Sequence, residues 1–174
     1  MSHKEQQDFV SGLKVKHPEW FTGKAVLEFG SYNINGTVRD CFTDIEDYVG
    51  VDWRAGPCVD EVALFHEFRS DRMFDILVSV NTFEHDPYWR DSLATGVGYI
   101  NRGGAVLVVC GAHGMVEHEH AASPTNGYYR NLEVEELQDR LSELGVTGQV
   151  RLNIGVPNRD LFFFGIKETN GARV

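Results

Sequence analysis

Two short apolar runs end in residues suited to holding a polar ligand. The first reads Val26-Leu27-Glu28-Phe29-Gly30-Ser31-Tyr32-Asn33-Ile34-Asn35-Gly36, and the second, Tyr48–Asp52, ends in a carboxylate followed by Trp53. Gly30 lets the backbone turn and approach a ligand. Free N–H groups at a helix start just after it would favour a carboxylate or a phosphate. Asp52 lies within the loose spacing of a carboxylate that accepts hydrogen bonds from ribose hydroxyls, and Trp53 could lie against a purine. The pattern suits an adenosine cofactor. A dinucleotide needs further glycines so that the backbone can approach its pyrophosphate, but the position two after Gly30 is Tyr32, so G-x-G-x-x-G is absent. S-adenosylmethionine has a ribose and an adenine but no pyrophosphate, and makes no such demand.

Other clusters carry less. His113, His118 and His120 stand with Glu117 and Glu119 in one polar stretch. Their spacing matches no strong zinc pattern, and the expectation is no metal. Asp86-Pro87-Tyr88-Trp89 looks like the D-P-P-Y signature of amino-group methyltransferases, but it comes several residues after the strand it should follow. It reads instead as a helix start, with Asp86 as N-cap and Pro87 at the first helical position.

These residues need a frame. Residues 4–16 space Phe9, Val10, Leu13 and Val15 as a weak amphipathic helix that Pro18 ends. Lys24–Phe29, Tyr48–Asp52, Cys58–Val62, Phe74–Val80 and Ala105–Cys110 read as strands, the last entered through a Gly103-Gly104 turn. Asn35–Phe42 and Ser92–Asn101 read as helices. Glu133–Leu144 is the best helix in the chain, with Leu137, Leu141 and Leu144 on one face and Gly145 at its C′ position. Val150–Val156 and Leu161–Lys167 close the chain as strands around a Pro157-Asn158 turn. So short a connection cannot join parallel neighbours, so the last strand is expected to run antiparallel. Strands alternating with helices, with near-continuous apolar interiors, predict a three-layer α/β/α sandwich around a mainly parallel seven-stranded sheet. Residues 111–130 form a long polar loop, of a kind that is often functional.

The 174 residues are 42% hydrophobic and carry a formal charge of −10. That balance fits a single domain over residues 1–174, with an N-terminal helical segment over about 1–22, and disfavours a nucleic-acid partner, which needs a basic face. Three dispersed cysteines, Cys41, Cys58 and Cys110, contain no CxxC and suit a reducing compartment. The longest apolar stretch is far too short for a membrane span, and no signal core opens the chain. The expectation is a cytoplasmic protein without a membrane partner.

The runs VLEFGS, YVGVD, FDILVSVNTFEH and GGAVLVV resemble the class I S-adenosylmethionine-dependent methyltransferases over about Lys24 to Cys110. The likeness is nearest to the small-molecule group typified by quinone-biosynthesis enzymes, and the closing strand pair also matches. The resemblance implies that Glu28 and Gly30, with Ser31, hold the methionine part of the cofactor and that Asp52 takes the ribose. It puts Asn81, Phe83 and His85 in the loop between cofactor and acceptor. Two positions depart from the family: Tyr32 stands where a second glycine is usual, with its ring a candidate to face the ligand. Ala63 stands where an acid often contacts adenine, so adenine contact would rest on backbone groups, Trp53 and Leu64. The implied activity is transfer of the sulfonium methyl to an acceptor, a small molecule in preference to a protein. His85 is the first candidate for a base, followed by His113 and Tyr128. The rival readings are a non-catalytic member of the fold acting as a partner or sensor, and a NAD-binding oxidoreductase domain.

Overall fold

The computed structural model describes residues 4–34, 36–116, 127–154 and 159–169. Helix α1 (Lys4–Lys16) leads, through a 3₁₀ turn at Pro18–Trp20, into β1 (Ala25–Phe29). Then follow β2 (Asp47–Asp52), β3 (Glu61–Val62), β4 (Phe74–Val80), α2 (Trp89–Gly98) and β5 (Ile100–Gly111). Helix α3 (Val134–Glu143) precedes β6 (Val146–Gly148), β7 (Arg151–Ile154) and β8 (Arg159–Lys167).

The sheet order is β3-β2-β1-β4-β5-β8-β6, with β7 also on β8. Strands β1 to β5 pair in parallel, and β8 runs antiparallel to β5, β6 and β7. The expected antiparallel last strand is present, but the sheet has eight strands instead of seven. The extra one comes from an interruption. Gly148 faces Gly165 and Arg151 faces Phe162, so β6 and β7 keep one register along β8. Between them the Val150 N–H donates to Gln138 Oε1 at 2.9 Å, which takes it out of the ladder. The Pro157-Asn158 turn lies outside the described residues.

Strand interiors are buried as a doubly covered sheet requires; four of the five positions of β1 are buried. One face packs against α2 and α3 through Leu93, Val97, Leu137 and Leu141. The other packs against α1 through Val10 and Leu13, with Val38 and Phe42. Val15, assigned to the apolar stripe of α1, is instead 82% exposed. Helix α3 is defined locally: Glu133 and Glu136 form a reciprocal capping box, and Gly145 takes φ +68° past its end.

Several sequence boundaries move. The helix expected over Asn35–Phe42 does not form; among the described residues that segment holds only a 3₁₀ turn at Arg39–Cys41. Local polar side chains compete for the N–H groups a helix would need. Asn33 Oδ1 accepts from the Gly36 N–H at 2.9 Å, and Thr37 Oγ1 accepts from the Arg39 N–H at 3.1 Å. The third strand shrinks to Glu61–Val62. Gly103 and Gly104 lie inside β5, where the pairing with β4 shifts register, instead of turning the chain before it. Helix α2 begins at Trp89, later than the Asp86-Pro87 start and earlier than Ser92. The Asp86 carboxylate still organises that end, accepting from the Tyr88 N–H at 2.8 Å and from the Ser92 hydroxyl.

Candidate functional site

The sheet reverses its order between β1 and β4, and ligands of open α/β sheets bind beyond the strand carboxyl ends at such a point. Here the ends of β1, β2 and β4 converge. The Gly30 and Ser31 N–H groups both donate to Val51 O, at 2.9 and 3.2 Å, and Thr82 Oγ1 donates to Phe29 O at 3.2 Å. Gly30 takes φ +84°, and a Cβ there would fall 1.9 Å from Thr82 Oγ1. Glycine is therefore required twice, for its backbone angle and for the close approach.

Glu28, on β1, is buried against this turn. The Tyr48 hydroxyl of β2 donates to Glu28 Oε2 at 2.8 Å. Burial raises the Glu28 carboxyl to about 7, against the opposing pull of that hydrogen bond and of the Arg39 charge. Beside it lies a recess of about 10 Å³, lined by Glu28, Gly30, Ser31, Tyr32, Gly36, Thr37, Val38 and Val80. That is room for about one water molecule. Ser31 is 2% exposed, and its hydroxyl has no hydrogen-bond partner among the described residues. An unpaired buried hydroxyl is costly, and its place on this recess marks it as a site for a polar group.

Asp52 is 6% exposed at the end of β2. Its carboxylate accepts from the Tyr32 N–H at 3.2 Å and the Arg54 N–H at 3.3 Å. Burial raises its pKa, and those backbone donors hold it back. The Arg54 guanidinium lies 4.0 Å from the Tyr32 ring centroid and 5.0 Å from that of Trp53. A Cβ on Gly56 would fall 1.9 Å from Tyr32 Cε2, so the Tyr32 ring rests on bare backbone. Leu64, half-buried, lies just beyond β3, where the Ala63 N–H donates to Asp52 O at 3.0 Å.

On the other side of Gly30, Asn81 adopts φ +52° and its side-chain amide pairs with Gln6 of α1. Phe83 is 1% exposed within the apolar core. His85 is half-buried, its ring edge-on to Tyr129 at 5.0 Å. Glu84, next to it, is 2% exposed, with Oε2 lacking a hydrogen-bond partner. Burial raises Glu84 to about 7. Tyr128 is half-buried, and His113 is exposed, with Nδ1 3.1 Å from Glu133 Oε1. Glu117, His118, Glu119 and His120 lie outside the described residues, and among the described ones no group of three His, Cys, Asp or Glu could hold a metal ion.

The structure thus gathers Glu28, Gly30, Ser31 and Tyr32 on one recess and ties Asp52 and Trp53 to it through Tyr32 and Arg54. One expectation fails: no helix starts after Gly30, so no helix N-terminus faces the recess. Sequence reasoning missed Gly36 and Thr37, which reach the recess although Tyr32 holds the usual second-glycine position. It also missed Tyr48, Arg54, Glu84 and Gln6; of these six residues only Gly36 left a signal, as a second glycine in the same loop.

No protein-family model matches the chain, and no curated protein does. Solved structures do match. The Burkholderia thailandensis 1,6-didemethyltoxoflavin-N1-methyltransferase, crystallised with 1,6-didemethyltoxoflavin and S-adenosylhomocysteine, aligns over 93% of this chain and 78% of its own, at TM-score 0.70 and 15% identity. YcgJ from Bacillus subtilis aligns over 92% of this chain and 99% of its own, at TM-score 0.70 and 14% identity. An S-adenosylmethionine-dependent methyltransferase from Clostridium acetobutylicum covers 97% and 93% at TM-score 0.67 and 9% identity. The fold is the Rossmann-like fold of these methyltransferases.

The connection from β1 to β2 carries no α-helix among its described residues. It crosses from strand to parallel strand on one 3₁₀ turn among its described residues. Its Val38 and Phe42 share one face of the sheet with Val10 and Leu13 of α1.

Proposed function

We propose that this chain is an S-adenosylmethionine-dependent methyltransferase acting on a small-molecule acceptor. The observation that carries the reading is the buried Glu28, with the unpaired Ser31 hydroxyl, on a recess beside the Asp52 carboxylate. These groups fit the cofactor's polar ends: a carboxylate for the methionine ammonium, a hydroxyl for its carboxylate, and a second carboxylate for the ribose hydroxyls. The methyltransferases that share the fold, among them one holding S-adenosylhomocysteine and a small acceptor, support the same reading.

S-adenosylmethionine, when bound, supplies a methyl group already activated by its sulfonium. What remains for the protein is alignment and exclusion of water. Glu28 must be ionised to receive an ammonium, so a bound cation draws its proton off. Asp52 has lone pairs left beyond the two backbone donors it holds. Trp53, Tyr32 and Leu64 offer apolar faces to a purine, and Asn81 and Phe83 contribute backbone between cofactor and acceptor. His85 is the candidate to take a proton from an acceptor hydroxyl or amine, with His113 and Tyr128 behind it. The recess holds about 10 Å³, so it must widen before anything larger than water reaches Glu28.

That same narrowness favours a second reading, a non-catalytic member of the fold that has closed over its cofactor site. One experiment separates the two. Thermal unfolding is followed with S-adenosylmethionine, S-adenosylhomocysteine or NAD. A ligand at about 100 times its dissociation constant adds about 2.7 kcal/mol, a rise of about 5–10 °C for a chain of this size. A rise with the first two and not with NAD supports the methyltransferase. No rise at millimolar ligand supports the closed fold, and a rise with NAD alone supports an oxidoreductase.

Among the described residues no helix is long and apolar enough to cross a membrane. The free thiols of Cys41, Cys58 and Cys110 and the net charge of −10 support a cytoplasmic enzyme that does not act on nucleic acid.

A further inference from the structure

Gln6 is 0% exposed although it lies in the first turns of α1. A buried amide is tolerated when its donors and acceptor are met. Its Nε2 donates to Asn81 Oδ1 at 2.6 Å and to Asp160 Oδ1 at 2.9 Å, and its Oε1 accepts from Asn81 Nδ2 at 2.9 Å. One side chain therefore ties α1 to the carboxyl end of β4 and to the start of β8.

Asn81 sits at a sensitive point. It holds φ +52°, a left-handed angle that asparagine tolerates better than most residues. The residue before it, Val80, lines the recess with Glu28. The residue after it, Thr82, donates to Phe29 O and fills the space that a side chain on Gly30 would need. Whatever fixes Asn81 fixes both neighbours, and through them the turn at Gly30.

We propose that Gln6 is a positioning residue for the cofactor recess, acting through Asn81 and Thr82 to hold the Gly30 turn. The inference rests on the methyltransferase reading above. No other side chain type suits the position as well. Both hydrogens of Nε2 are used, so a glutamate would set its oxygens against Asn81 Oδ1 and the Asp160 carboxylate, and an asparagine would fall short.

The test is calorimetric titration of S-adenosylhomocysteine into the full chain, with melting temperatures measured in parallel. Gln6→Met keeps the volume and removes the hydrogen bonds. It should weaken binding by about tenfold or more. Phe9→Ala removes the ring that stacks on Phe162 at 4.4 Å, on the same helix. It should lower the melting temperature and leave the affinity within about twofold. Asn81→Gly relieves the left-handed angle while losing the amide pair, so it should weaken binding as Gln6→Met does, and the double variant should be no worse than either single. If Gln6→Met does not fold, the comparison of Asn81→Gly with Phe9→Ala decides. Equal binding by Gln6→Met and wild type overturns the proposal, as does an equal loss in Phe9→Ala. Absence of binding by wild type overturns the methyltransferase reading instead.

Discussion

The Tyr48 hydroxyl crosses from β2 to β1 and donates to Glu28 Oε2 at 2.8 Å, with both residues buried. This one contact leaves a carboxyl group inside the fold with a single side-chain hydrogen bond to offset its lost hydration. Burial raises the Glu28 carboxyl to about 7 from its ordinary 4.5, and this hydrogen bond opposes that rise only in part.

A pH dependence follows. The unfolded chain releases the Glu28 proton near 4.5, whereas the folded chain keeps it until about 7. The unfolded state binds fewer protons across that window, so Glu28 lowers stability as pH rises through it, by up to about 3 kcal/mol. Glu84, also raised to about 7, acts in the same direction. Urea unfolding from pH 5 to 8 should show Glu28→Gln gaining on wild type as pH rises. Parallel curves would contradict this.

Ligand affinity should move the opposite way in the same window. A cationic ammonium needs the ionised carboxylate, so S-adenosylhomocysteine should bind wild type more tightly at pH 8 than at pH 6. Glu28→Gln should lose both the trend and about tenfold or more in affinity at pH 8. Titrations at the two pH values check it.

Asp52→Ala removes the acceptor for the Tyr32 and Arg54 N–H groups as well as the proposed ribose partner. Stability should fall by about 1–3 kcal/mol, with the circular-dichroism spectrum retained. Affinity for S-adenosylhomocysteine should fall by about tenfold or more. Unchanged affinity would remove Asp52 from the site.

Gly30→Ala sets a methyl group 1.9 Å from Thr82 Oγ1 at a left-handed backbone angle. The expected loss is about 2–4 kcal/mol, from overpacking and backbone strain together. Adding Thr82→Ala should recover only part of it, because Thr82 Cβ still lies 2.8 Å from the new methyl. Urea midpoints of the two variants measure both effects.

With a methyl acceptor in hand, His85→Ala should lower kcat by about 100-fold or more if its imidazole takes the acceptor proton. His113, exposed and beside Glu133, should be replaceable by alanine with kcat within about twofold. Equal effects from the two would place the base elsewhere.

Glu28, Gly30 and Asp52 are legible in the sequence because each closes an apolar run, and strand ends are where such a sheet presents its polar groups. The false helix over Asn35–Phe42 has a physical origin. Its apolar spacing is real, since Val38 and Phe42 are buried, but the side chains of Asn33 and Thr37 close local turns there, with the Gly36 and Arg39 N–H groups as donors. Gly36 reaches the recess by the path of that loop, which no periodicity encodes. Glu84 escaped notice beside His85, because only the 3₁₀ turn at Phe83–His85 decides which of two adjacent side chains points inward. Gln6 is invisible in sequence for a simpler reason: its partner Asp160 lies 154 positions away.

The bare crossover between β1 and β2 bears on how the chain reaches its fold during synthesis. A helix in that connection would cover its face of the sheet with residues made next to the strands. Here α1 supplies part of the cover, and it is fastened to the end of β4 by Gln6 on Asn81 and to β8 by Gln6 on Asp160 and Phe9 on Phe162. Part of the seat of α1 is therefore completed only by β8, the last strand among the described residues. Contacts of such separation form slowly, and an apolar sheet face stays open in the meantime. A folding chain of this sequence carries a partly unshielded apolar surface until β8 docks, and chaperone dependence should track that interval.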